Sequence, residues 1–145
     1  MQRKEGGPIA LMALQDRIYE ESGKVAGVRV LSDTGVEVSF QGVGKVLGEN
    51  ITFTTLLTTV GTRHPDGAVV LAGNGIATTE NGDSINIKTL GVRRPTGRGL
   101  KSSGRGLDIF QTASQRFAGW NNRAYLWEVE TDEVGNYQLS LWEWK

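Results

Sequence analysis

The stretches VSFQGVGKV (38–46), VVLAGNGIA (69–77) and INIKTLGV (85–92) each alternate apolar and polar residues, yet each also carries glycine inside the run. Alternation with period two marks a strand with one buried face. Glycine gives such a strand nothing to pack, so repeated interior glycines imply strong coiling or close approach of another backbone. The combination predicts a closed, strongly curved β-barrel.

Working outward, further strands read at 36–47, 51–62, 68–79, 84–93, about 105–113, 124–131 and 136–144. Between them stand Ser32-Asp33-Thr34-Gly35, His64-Pro65-Asp66-Gly67 and Glu80-Asn81-Gly82-Asp83, whose Asp-Gly and Asn-Gly pairs suit tight hairpins. Upstream, 13–20 reads as a strand and Glu21-Ser22-Gly23-Lys24 as a turn into VAGVRVL (25–31). A helix over 9–21 is the alternative, since Leu11, Leu14 and Ile18 could share a helical face. Sequential strands joined by short turns give an all-β fold, a single up-and-down antiparallel barrel of about eight or nine strands. A two-sheet sandwich fits the interior glycines less well. The 145 residues suit one domain, read as a loose N-terminal arm over 1–11 and a barrel over 12–145.

The formal net charge is +0, so no global field steers the chain toward nucleic acid or an anionic membrane. No segment approaches the roughly 20 apolar residues of a membrane helix. The absence of cysteine excludes disulfides and thiolate metal sites and suits a reducing cytoplasm, and His64 is the lone histidine. The expectation is a cytoplasmic protein with no metal, no cofactor and no membrane attachment, in which nucleic acid is a partner only if the basic loop 93–105 binds it.

The interior Gly-x-Gly hairpins, the PDG (65–67) and ENGD (80–83) turns and the ending GNYQLSLWEWK (135–145) resemble small prokaryotic proteins of the allene oxide cyclase-like, calycin-type barrel group over roughly 24–145. Named members of that group isomerise oxidised lipids or guide phenoxy radical coupling inside a barrel, often as oligomers. The resemblance implies fold first. It also implies a small, partly apolar ligand and isomerase or cyclase activity. The shared motifs are turn and strand patterns, and no catalytic residue of the group carries over to a position here.

Several residues could carry chemistry. Arg93, Arg94, Arg98, Lys101 and Arg105 run without an intervening acid and are interleaved with Gly97, Gly99 and Gly104. Guanidinium forks beside flexible backbone amides can bind phosphate or carboxylate, though the same run reads as a solvated loop at a barrel mouth. Tyr125, Trp127 and Val129 share a face with Tyr137, Leu139 and Leu141, and parity puts Glu143 there too, as a candidate acid or base beside apolar neighbours. Glu128 and Glu130 occupy the opposite face, and Glu37 alternates with Val36 and Val38. Each is an acid-base candidate if its face is the lumen. Trp120, next to Asn121 and Asn122, reads either as a stacking platform or as a plug. The threonine-rich run 51–62 lacks a clear wet face, which predicts burial against an identical subunit. Two function classes result: a ligand-binding barrel with isomerase or cyclase activity, or a noncatalytic oligomeric module using the basic loop 93–105 to bind an anion, nucleic acid or protein.

Overall fold

The computed structural model describes residues 14–144. Eight strands follow one another: β1 (Leu14–Val30), β2 (Gly35–Val46), β3 (Thr52–Arg63), β4 (Val69–Thr78), β5 (Ser84–Pro95), β6 (Ser102–Gln111), β7 (Ala124–Thr131) and β8 (Asn136–Trp144). Each pairs antiparallel with the next, and β8 returns to β1 with Tyr137 opposite Gly23 and Leu141 opposite Tyr19, closing the barrel. Closure satisfies the backbone groups that an edge strand would leave unpaired. At the predicted PDG and ENGD hairpins, Gly67 and Gly82 adopt φ of 90° and 85°, a left-handed backbone that a side chain would strain.

One expectation fails at β1. The stretch read as a turn, 21–24, is the middle of a continuous strand of 17 residues, whose register shifts only outside that stretch, between Val25 and Gly27 against β2 and between Leu14 and Tyr19 against β8. Gly23 marks close approach instead of reversal, since a Cβ there would strike the Gln41 carbonyl on β2. The helical alternative is therefore excluded over 14–21. Its first residues, and the arm over 1–11, lie outside the described residues.

Alternation sends one face of every strand into a core that includes Tyr19, Phe53, Ile87, Phe110, Trp127 and Leu141. The β6–β7 connection covers one end through a short 3₁₀ stretch, Gln115–Trp120, which drives Phe117 into the barrel at 2 % exposure. Full burial of such a side chain contributes about 1.5–3 kcal/mol. Phe117 meets Phe53 at 5.2 Å between ring centroids, while Trp120 stacks on Tyr125 at 5.4 Å. Asn121 fixes the stretch by accepting from Thr112 N at 2.7 Å and donating to Thr112 O at 3.0 Å. Trp120 is thus part of a plug.

Candidate functional site

The interior glycines make room for aromatic rings. On β2, a Cβ at Gly44 would overlap the Tyr19 hydroxyl and ring, and one at Gly42 would overlap the Tyr137 hydroxyl. Both phenols converge on Glu21, which sits inward on β1 because it shares parity with Tyr19. Tyr19 Oη donates to Glu21 Oε1 at 2.8 Å and Tyr137 Oη donates to Oε2 at 2.5 Å. Glu21 is buried, at 6 % exposure, with each carboxylate oxygen held by a phenol. Burial, then the Glu21 charge, pushes both tyrosine hydroxyls well above their ordinary pKa.

A second acid enters from β6. Asp108 lies in the alternating series Gly104, Gly106, Asp108, Phe110, and the glycines on this side admit the Trp127 indole: a Cβ at Gly91 or Gly106 would overlap its six-membered ring. The indole Nε1 donates to Thr89 Oγ1 at 2.9 Å, and Thr89 stands opposite Asp108 in the β5–β6 register. Burial pushes the Asp108 carboxyl up to about 7, the neighbouring Thr89 hydroxyl opposes that rise, and the Glu21 charge adds to it. An acid poised there can both give and take protons near neutrality.

Glu21 and Asp108, with Leu57 and Leu139, line two small chambers. One, of about 60 Å³, extends past Trp127 to Arg93 and Thr131, away from the plug. The other, of about 50 Å³, runs toward Phe53 and Phe110 beneath the plug. Each holds a few heavy atoms, given that a water occupies about 30 Å³ in the liquid. The walls are otherwise mostly apolar, so an occupant meets charge only at the acid pair and at Arg93. Arg93 is half-buried, and desolvation lowers its pKa from the ordinary value.

The structure disperses the residues singled out in the sequence. Glu37 and Glu128 are not lumenal: they stand on the outer wall, Glu37 paired with Arg29 at 2.9 Å and Glu128 with Arg105 at 3.3 Å. Glu130 is likewise outside, hydrogen-bonded by Ser103. Glu143 does share the inward face but lies at the plugged end in an ion pair with Arg123, and its charge, second to burial, helps push the Tyr125 hydroxyl up to about 12. The basic run does not converge. Arg94 pairs with Asp66 and Arg98 with Glu133, each at 3.4 Å, and Lys101 is exposed, so of the five cations only Arg93 reaches the lumen.

Glu21 escaped the sequence reading because Glu-Ser-Gly-Lys has turn composition. Its parity with Tyr19 was the available signal. Asp108 was missed within the strand LDIFQ, where it is the only acid on a face of glycine and phenylalanine. Of the charged residues that were noticed, all but Arg93 and Glu143 stand on the outer wall or in the loops.

Fold and lumen together define a closed eight-stranded antiparallel barrel with two buried acids at its centre. No family model and no curated protein matches the chain. Among solved structures, it resembles a protein of unknown function from Clostridium acetobutylicum ATCC 824, with TM-score 0.73 and 16 % identity over 91 % of this chain and 97 % of that one. It also resembles a conserved protein of unknown function from Rhodopseudomonas palustris, with TM-score 0.74 and 11 % identity over 90 % and 96 %. An enzyme from Penicillium herquei aligns with TM-score 0.56 and 16 % identity over 100 % and 99 %. At these identities the likeness is one of fold.

Proposed function

We propose that the barrel binds a small, slim, partly apolar molecule with an anionic end and catalyses its isomerisation by proton transfer. The observation that carries this reading is the acid pair, Glu21 and Asp108, lining both chambers with Arg93 at the far end of one. Arg93 fixes the anionic end through a charge-assisted hydrogen bond. The apolar body lies against Leu71, Trp127 and Val129. Glu21 takes a proton from a carbon of the substrate, and Asp108 returns one at the other end of the shifting double bond. Substrate and product then share one formula, and a proton passing from Glu21 to Asp108 resets the site. The resemblance of the sequence to the allene oxide cyclase-like barrels, and the likeness of fold to a fungal enzyme, point the same way.

Titration of labelled protein with short-chain aliphatic carboxylates, followed by amide NMR, tests the binding half of this reading. Saturable shifts clustered at Thr89, Gly91 and Gly106, and lost in Arg93→Ala, are expected. Shifts spread over the outer loops, or none at saturating carboxylate, would contradict it.

A further inference from the structure

Charge is distributed unevenly over the outer wall. The outward positions of β1, β2 and β7 carry Glu20, Lys24, Glu37, Lys45, Glu128 and Glu130. The outward positions over 54–60 of β3, 70–76 of β4, 86–92 of β5 and 107–109 of β6 carry, among the described residues, a single charged side chain, Lys88. Register makes this face continuous: Val60 stands opposite Ala72, Ala72 opposite Leu90, Leu90 opposite Leu107 and Leu107 opposite Leu126. The row is open to solvent, with Leu90 59 % and Val60 50 % exposed, and Val70 paired with Val92 extends it along the strands.

Three strands about 4.8 Å apart, each contributing seven residues at about 3.3 Å, and three residues of β6 present a face of about 400 Å². That is within the range of the largest apolar patches on monomers, which are often functional, and supplies about half of the roughly 800 Å² each partner brings to a standard interface, the remainder falling to a polar rim. Depletion of charge is the compositional mark of an interface core. A strongly basic partner would find no acid here, and a strongly acidic one only Lys88. A face meeting its own copy must instead tolerate each of its groups twice, which near-neutrality permits and the ion-paired opposite wall does not. Thr58 and Asn74, opposite each other within the face, both donate and accept and so can pair with their own kind. The net charge of +0 adds no long-range repulsion between copies.

We propose that the outer face of β3–β6 seats a second copy of this chain, with Leu90 near its centre. This interface is independent of lumenal chemistry and stands if the lumen proves inert. Sedimentation equilibrium of the full chain tests it, with Leu90→Lys and Val60→Lys as disrupting variants and Gln138→Lys, exposed on β8, as control. Wild type and Gln138→Lys are expected to sediment as assemblies at micromolar concentration. The two disrupting variants should fall to the 15.8 kDa of one chain while keeping the wild-type circular dichroism. Wild type sedimenting as a single chain, or assembly retained in a folded Leu90→Lys or Val60→Lys, would overturn the proposal. Because the two substitutions sit on different strands, one folded variant suffices for the test.

Discussion

Glu21 and Asp108 inside the barrel and Glu37 and Glu128 on its outer wall are the same kinds of group on the same kind of strand, put to different ends by which way parity turns them. The outer pair meets guanidinium groups in water, where an exposed ion pair contributes about 0–1 kcal/mol and salt screens it. The inner pair meets phenols, a threonine and apolar walls, and among the described residues no cation hydrogen-bonds or ion-pairs with either carboxylate. Asp108, buried without a counter-charge, holds its proton more tightly and so becomes useful near neutral pH. Position on the pleat, more than residue type, separates a solubilising carboxylate from a reactive one.

The sharpest way to break that comparison is through pH. Asp108 is held at about 7 in the fold against an ordinary 3.8, so below pH 4 both folded and unfolded chains carry the proton. Between there and pH 7 the unfolded chain has released it while the fold retains it. Asp108 therefore makes stability fall as pH rises across that window, on the order of 4 kcal/mol in all. Urea melts across the window should show that slope in wild type and lose it in Asp108→Asn, whereas Glu128→Gln on the outer wall should leave it in place. An unchanged slope in Asp108→Asn would detach the lumen from the effect.

Next in size are the glycine cradles that let the rings reach the acids. Gly44→Ala forces a Cβ into the Tyr19 hydroxyl and should cost about 3 kcal/mol, with loss of the Tyr19–Glu21 hydrogen bond. Gly27→Ala, where a Cβ meets nothing within 4 Å, should stay within about 1 kcal/mol of wild type in the same melts. Equal effects at the two positions would mean that coiling, and not ring accommodation, explains the interior glycines.

Much of the barrel was legible in the chain because alternation and Asn-Gly or Asp-Gly turns are local signals. The strands from β2 to β8 and the hairpins at Gly67 and Gly82 fall close to where the sequence puts them. The inward face of the last hairpin, carrying Tyr125, Trp127, Tyr137 and Leu141, was also readable from parity alone. The site was less legible, since its geometry is set by strands distant in sequence. Glu21 meets a tyrosine 116 positions away, and Trp127 reaches Thr89 across 38. Glycine carried the message in a form that period and propensity do not decode: Gly23, Gly42, Gly44, Gly91 and Gly106 mark where another strand or its ring must fit. The basic run misled because one-dimensional spacing hides the acids Asp66, Glu128 and Glu133 that register brings alongside it.

The most direct test of the lumenal account is the titration of the Asp108 side-chain carboxyl carbon by NMR in the intact protein. The account predicts a midpoint near the value of about 7 set by burial, moving downward in Glu21→Gln as the neighbouring charge is removed. A midpoint in the ordinary aspartate range, close to 4, would contradict it and leave the barrel without a proton donor at neutral pH.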